Sequence, residues 1–166
     1  MIGVGDKFPS FCLNGIDDEN NLLVVDYDTI NKWTVVFFYP KDFTFICPTE
    51  ISGFNIIGEE AEVFGISGDN EFCKLAWKES NEEIGDINFS LLADCGLVLA
   101  NELGVTNGQV CYRATYIVDP DGVVAHVSVN RDDTGRNAEE ILRTLQALKS
   151  GGLTGCAWQP GDNFVI

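Results

Sequence analysis

The sequence predicts an α/β protein in which a central mixed β-sheet is flanked by helices. Residues 33–39 (WTVVFFY) form an apolar run without alternation, which is typical of a strand buried on both faces. Strand-like and helix-like segments alternate after that run, which indicates a sheet covered by helices. The length of 166 residues is that of one domain, enough to bury about 70% of the surface that the unfolded chain exposes.

The first half of the chain supplies a hairpin, the central strand and a second strand–helix step. The acidic stretch 17–21 predicts a solvated turn between two short apolar segments, and Pro40 ends the central strand. Residues 62–67 predict another buried strand. The helix expected after it contains three apolar side chains, Phe72, Leu75 and Trp77, and a further helix is expected after Asp94.

The second half of the chain predicts a hairpin and a closing helix. Residues 119–122 (DPDG) are a strong turn signal between strands at 112–118 and 123–129. Asn137 can cap the last helix, with Glu140 completing a capping-box pattern. Its apolar face holds Ile141, Leu142, Leu145 and Leu148, and two glycines, 151 and 152, stop it. The pattern is compatible with a thioredoxin-like architecture, and we expect one domain over residues 1–166, with 150–166 as a C-terminal segment.

The charge balance excludes two classes of partner. Ten Lys and Arg residues stand against 26 Asp and Glu residues, a net charge of −16, so the surface should repel nucleic acid and anionic membranes. No apolar run approaches the ~20 residues of a membrane-spanning helix. The N-terminus has neither a basic region nor an apolar signal core. These features predict a soluble protein of the cytoplasm.

The six cysteines, at positions 12, 47, 73, 95, 111 and 156, are too far apart in sequence for a C-x-x-C redox pair or half of a zinc site. His126 is the single histidine, which excludes a His-rich metal centre, so we expect neither metal nor cofactor. Thiols in a reducing compartment are mostly small buried hydrophobes. We therefore expect Cys12, Cys73, Cys95 and Cys111 to be structural and inert.

Cys47 differs from the other cysteines in its local context. It follows the central strand and begins a predicted helix, because Pro48 suits the first turn and Glu50 suits the positive end of the helix dipole. That position favours an anionic, reactive sulfur. A cation is also needed, and Arg113 lies inside an apolar strand. It either points to solvent or meets a buried anion, and the pattern alone favours solvent.

Three segments resemble the peroxiredoxin family. Residues 38–50 (FYPKDFTFICPTE) are similar to its long active-site segment, whose core is P-x-x-x-T-x-x-C. Residues 113–119 (RATYIVD) resemble the strand with the family's active-site arginine, and residues 154–161 (TGCAWQPG) resemble the segment with its second cysteine. The resemblance covers nearly the whole chain and implies a thioredoxin-like fold. It is nearest to typical two-cysteine peroxiredoxins of the bacterial alkyl hydroperoxide reductase C group.

The resemblance implies a thiol-dependent peroxidase and assigns its residues. Cys47 would be the peroxidatic nucleophile, which attacks hydrogen peroxide or an organic hydroperoxide and becomes a sulfenic acid. Thr44 would hydrogen-bond the sulfur and the peroxide, and Pro40 would shield the pocket. Arg113 would hold thiolate and peroxide together, and Glu50 would orient that arginine.

The resemblance also implies partners. Cys156 would be the resolving cysteine and would form an intersubunit disulfide with Cys47 of a second copy. A dithiol reductant, either thioredoxin or a dedicated alkyl hydroperoxide reductase partner, would reopen that disulfide. Homodimers or rings of dimers are implied.

Three features depart from the family's pattern. The chain looks shorter between Glu50 and residue 67, so the helix after Cys47 is expected to be truncated. A Gly-Gly-Leu-Gly insertion is missing from residues 82–95, and there is no Tyr-Phe-bearing tail. The last two features predict resistance to over-oxidation.

Two other functions compete with the peroxidase. One is a cysteine hydrolase with His126 as the base for Cys47, which suffers from the lack of an orienting residue; a surface or interface role for His126 is favoured. The other is a chaperone or redox-signalling scaffold, whose function would reside in its oligomeric surface.

Overall fold

Seven strands form a single mixed sheet in the order β2-β1-β5-β4-β3-β6-β7. The structure is a computed structural model that describes residues 2–28 and 31–166. The strands are β1 (Phe11–Ile16), β2 (Leu22–Tyr27), β3 (Thr34–Phe38), β4 (Glu62–Ser67), β5 (Ser90–Ala93), β6 (Arg113–Val118) and β7 (Val124–Asn130). The helices are α1 (Cys47–Gly53), α2 (Asn55–Gly58), α3 (Glu71–Ser80), α4 (Glu82–Gly85), α5 (Val98–Leu103) and α6 (Ala138–Lys149).

The strand β3 is central, as its continuous apolar pattern predicts. It pairs in parallel with β4 and antiparallel with β6, and all five of its residues are buried. The pairs β1/β2, β1/β5 and β6/β7 are antiparallel, whereas β4/β5 is parallel. The sheet is therefore mixed and carries helices on its faces, so the predicted fold class is confirmed.

Apolar side chains fill a layer on each face of the sheet. One layer contains Phe11, Phe38 and Leu99, and the other contains Phe37, Phe54 and Trp77. The helices that carry the candidate site pack against the second layer, beyond the end of β3. Trp77 is buried as expected, although Phe72, on the same helix, is 61% exposed.

Local signals in the sequence predict the turns and caps well. Asp17 Oδ1 accepts the N–H groups of Glu19 and Asn21 within the β1–β2 turn. Asn137 caps α6 by accepting the N–H groups of Glu139 and Glu140. The second half of the predicted capping box is wrong, because the Glu140 carboxylate instead accepts hydrogen bonds from the guanidinium of Arg143.

Within the described residues, the structure contains no helix that combines the length and the apolar character needed to cross a membrane. The same residues contain no group of three or more His, Cys, Asp or Glu side chains placed to hold a metal ion.

Candidate active site

Cys47 lies at the start of α1, just beyond the end of the central strand. Its side chain is fully buried. Because β6 runs antiparallel to β3, with Phe37 opposite Thr115, the first residue of β6 reaches the end at which β3 leaves the sheet. That residue is Arg113. The sheet register therefore brings together two residues that stand 66 positions apart.

Arg113 is buried against anions and does not face solvent. Only 4% of the residue is exposed. Its Nη1 group donates to the sulfur of Cys47 at 3.4 Å and to the carboxylate of Glu50, and its Nε group donates to the carbonyl of Asp132 at 2.8 Å. The solvent-facing orientation, which the pattern alone favours, is wrong. Every residue of β6 is buried, so the alternation of positions along this strand cannot show which side chains face solvent.

A second guanidinium, that of Arg136, lies behind Glu50. Its Nε group donates to Glu50 Oε2 at 2.5 Å, and its Nη1 group donates to the carbonyl of Ala114 at 2.8 Å. The guanidinium carbon lies 5.2 Å from the centre of the Phe37 ring and 5.5 Å from that of Phe54. Sequence reasoning missed Arg136. The available signal is its place directly before the cap of α6, where the helix dipole disfavours a cation unless an anion is near.

The buried charges of this site do not cancel by themselves. The side chains of Arg113, Arg136 and Glu50 are at most 5% exposed, so two positive charges face one negative charge. Burial works to lower the pKa of Arg113, but its hydrogen bond to Cys47 and the charge of Glu50 outweigh burial and raise that pKa. Burial lowers the pKa of Arg136, with Glu50 opposing it. An anionic Cys47 would make the cluster neutral.

Thr44 and Pro40 lie in the loop between β3 and α1. The expected hydrogen bond between Thr44 and the Cys47 sulfur is not formed, because Thr44 Oγ1 donates to the carbonyl of Lys41 at 2.9 Å. Its lone pairs remain able to accept. Pro40 helps to line a cavity of about 320 Å³, but the residues that line this cavity include neither Cys47 nor Thr44.

Cys156 is exposed in the segment 150–166. That segment packs on its own chain, since Arg143 Nη1 donates to the carbonyl of Trp158 at 3.0 Å. The ring of Trp158 is stacked on that of Phe164, with centroids 6.1 Å apart. Trp158 is 7% exposed and acts as the predicted anchor. Cys156 and the buried Cys47 are both free thiols.

Comparison with known proteins places this geometry in a family. Residues 4–127 match the model of the AhpC/TSA family. The chain belongs to the AhpC/TSA family. Alkyl hydroperoxide reductase C of Mycolicibacterium smegmatis is 38% identical over 183 residues, covering 99% of this chain and 94% of the relative. That aligned length exceeds 166 residues, so this chain is the shorter of the two over the matched region.

Solved structures of AhpC/TSA-type proteins share the fold. The reduced 2-Cys peroxiredoxin of Plasmodium vivax superimposes with a TM-score of 0.90 at 31% identity, covering 96% of this chain and 91% of that chain. AhpC of Mycobacterium tuberculosis gives a TM-score of 0.85 at 34% identity, covering 95% and 97%. The predicted peroxiredoxin fold, family and enzyme class, a thiol-dependent peroxidase, are confirmed.

The remaining cysteines of this AhpC/TSA chain divide into two groups. Burial raises the pKa of Cys111 to about 12, and burial followed by the charge of Asp42 raises that of Cys73. Both environments favour the inert thiol. Cys12 and Cys95 are exposed, so the expectation of buried thiols is wrong for them. Cys12 occupies an outward position of β1, and Cys95 lies in the turn that follows β5.

His126 is remote from the sulfur of Cys47. It is half-buried on β7, four residues before Asn130, which pairs with Arg113. That spacing corresponds to roughly 13 Å along a strand. Burial lowers the pKa of His126, and Glu140 only partly offsets this. The hydrolase alternative lacks the contact that a general base requires.

Proposed function

We propose that this AhpC/TSA member reduces hydrogen peroxide and organic hydroperoxides, with Cys47 as the peroxidatic nucleophile and Cys156 as the resolving cysteine. The observation that carries the proposal is the uncompensated positive charge around Cys47. Arg113 Nη1 lies 3.4 Å from the sulfur, and burying two guanidiniums with one carboxylate is costly unless a further anion is present. The thiolate of Cys47 supplies that anion.

In the first step, the Cys47 thiolate attacks the terminal oxygen of the hydroperoxide. A sulfur–oxygen bond forms and the oxygen–oxygen bond breaks, so the sulfur is oxidised to a sulfenic acid while the peroxide is reduced. The leaving oxygen takes a proton and departs as an alcohol, or as water when the substrate is hydrogen peroxide.

Fixed donors contribute more to this step than thiolate formation does. Complete ionisation raises the thiolate fraction at pH 7 by about thirtyfold over an ordinary cysteine with a pKa of about 8.5, and a less basic thiolate is a weaker nucleophile, which offsets much of that gain. Arg113 stabilises the charge that builds on the leaving oxygen, and Glu50 holds Arg113 in place. Thr44 accepts the hydroperoxide O–H with its free lone pairs, and Pro40 shields the sulfur from solvent.

In the second step, the thiolate of Cys156 from a second copy attacks the sulfenic sulfur of Cys47. A disulfide forms, the sulfur–oxygen bond of the sulfenic acid breaks, and the hydroxide that leaves takes a proton to become water. A dithiol protein, either thioredoxin or a dedicated alkyl hydroperoxide reductase partner, then reduces the disulfide and is itself oxidised. This cycle requires a homodimer, as the unit or within a ring of dimers. Its need for reduced thiols is met in the cytoplasm.

Peroxide consumption with purified candidate reductants tests the proposal. The wild type should consume peroxide catalytically, and Cys47→Ser should not. Cys156→Ser should react once per Cys47 and then stop when the reductant is a dithiol protein. Cys95→Ser is the matched control, since Cys95 is exposed like Cys156 and should retain turnover.

A non-reducing gel of peroxide-treated protein tests the resolving step. The wild type and Cys95→Ser should form a covalent dimer, and Cys156→Ser should not. A wild type that stays monomeric on the gel would assign resolution to another thiol.

A further inference from the structure

The turn that carries Thr44 is in a conformation that its own sequence does not favour. Thr44 Oγ1 donates to the carbonyl of Lys41 at 2.9 Å and closes the turn. Phe43, inside the turn, has a φ of +56°, in the left-handed region that bulky side chains rarely adopt. Its ring is 57% exposed, and its centroid lies 6.0 Å from that of Trp77. Such strain persists only where surrounding groups hold the backbone.

Asp42, the residue before Phe43, is held at both its backbone and its side chain. Its N–H group donates to Asp69 Oδ2 at 2.8 Å, and its Oδ1 atom accepts from the hydroxyl of Ser67 at 2.9 Å. Both partners lie at the end of β4 or just beyond it. The loop after β3 is therefore fastened to the loop after β4.

Lys74 on α3 completes this fastening. Its Nζ atom lies 3.3 Å from Asp42 Oδ2, and both side chains are fully buried. The same ammonium donates to Ser67 Oγ at 2.6 Å and to the carbonyl of Asp69 at 2.9 Å. Both residues that hold Asp42 are thus also held by Lys74. The ring of Tyr39, the last residue before Pro40, lies under the ammonium at 5.5 Å.

We propose that Lys74 is a positioning residue for peroxide reduction, acting through Asp42 to fix the strained Lys41–Thr44 turn and hence the hydroxyl of Thr44. This inference rests on the proposed function. A buried ion pair is often no more stabilising than apolar side chains of the same volume. The geometry that the pair imposes on the turn therefore explains its presence better than stability does.

The chain offers a matched control for Lys74. Lys78 lies on the same helix, is 2% exposed, and donates to the carbonyls of Asp17 and Asp18. Its partners belong to the β1–β2 turn. Lys78→Met therefore removes a buried lysine of the same helix without touching the Lys41–Thr44 turn.

The experiment compares two rates for Cys47 in Lys74→Met, Lys78→Met and the wild type. One is the rate of reaction with hydrogen peroxide, and the other is the rate of alkylation by iodoacetamide, which needs the thiolate but not Thr44. In Lys74→Met the peroxide rate should fall by about tenfold or more, because displacements near one ångström have effects of that order or larger. Its alkylation rate should fall far less than its peroxide rate, and Lys78→Met should keep both rates.

If the two lysine variants behave alike, or if alkylation falls in parallel with the peroxide rate, the inference is wrong. Should Lys74→Met not fold, the double variant Asp42→Asn/Lys74→Met removes both charges without leaving either unpaired. A folded double variant with wild-type peroxide rate overturns the inference, and one with selective loss of that rate supports it. Failure of the wild type to react with peroxide would instead refute the proposed function.

Discussion

Removing the charge of Arg136 should slow the alkylation of Cys47, although Arg136 does not touch the sulfur. In Arg136→Met, the carboxylate of Glu50 keeps its partner Arg113, so no buried charge is left alone. The two remaining charges cancel each other. The cluster is then electrically neutral when the sulfur of Cys47 is a neutral thiol.

The size of this effect follows from the chain of contacts. Arg136 Nε lies 2.5 Å from Glu50, which binds Arg113, and Arg113 Nη1 lies 3.4 Å from the sulfur. Summed along these contacts and across the carboxylate, the guanidinium of Arg136 lies within about 10 Å of the sulfur. At an effective dielectric constant of about 20, a unit charge at that distance contributes about 2 kcal/mol. That free energy corresponds to roughly a thirtyfold change in an equilibrium constant, which sets the scale of the expected fall in the alkylation rate.

The rate of alkylation of Cys47 by iodoacetamide at neutral pH, followed by mass spectrometry of its peptide, measures this loss. Arg131→Met is the matched control, because the side chain of Arg131 is 87% exposed and its charge is screened by water. Arg136→Met should react many times more slowly than the wild type, and Arg131→Met should not. Equal alkylation rates in the two folded variants would show that the net charge of the cluster does not control the reactivity of the Cys47 sulfur.

Three further outcomes are expected. Arg113→Lys keeps the positive charge but loses the planar donor, so Cys47 should retain most of its alkylation rate and lose much of its peroxide rate. Equal losses of the alkylation rate and of the peroxide rate, the latter measured by stopped flow, would contradict this. Because the pKa of His126 is lowered by burial from 6.5, the unfolded chain binds a proton before the folded chain does, and stability should decline as the pH falls below about 6.5. His126→Gln should remove that part of the decline in urea unfolding, and an unchanged decline would assign it elsewhere. Because its pKa is raised to about 12, Cys111 should be alkylated many times more slowly than Cys47, although both are fully buried, and equal labelling of the two in the folded protein would contradict this.

Features set by local backbone preference could be predicted from the sequence. The apolar run 33–39, the turn at 119–122 and the cap at Asn137 all lie where the sequence pattern predicts them. Each depends on neighbours within a few residues, such as a side chain that accepts nearby N–H groups. The position of Cys47 at the start of a helix follows in the same way.

Burial of charged side chains could not be predicted, because it depends on distant partners. Lys74 and Lys78 look like the solvated face of α3, yet both are buried since Asp42 and the β1–β2 turn fold over them. Arg113 lies on a strand buried on both faces, where periodicity cannot distinguish solvent from a buried anion. The pairing of β3 with β6 decides its orientation.

Two buried ionic groups lie next to the loop after β3, and their charge counts separate their roles. Asp42 and Lys74 carry one charge of each sign and are fully buried. This pair is therefore electrically neutral without a further anion. Glu50 binds two guanidiniums. This group would be electrically neutral only if the sulfur of Cys47 were an anion. A neutral buried pair can fix geometry, whereas an unbalanced cluster favours whichever neighbouring group can ionise. The imbalance is therefore the feature that supports Cys47, among the six cysteines, as the proposed nucleophile.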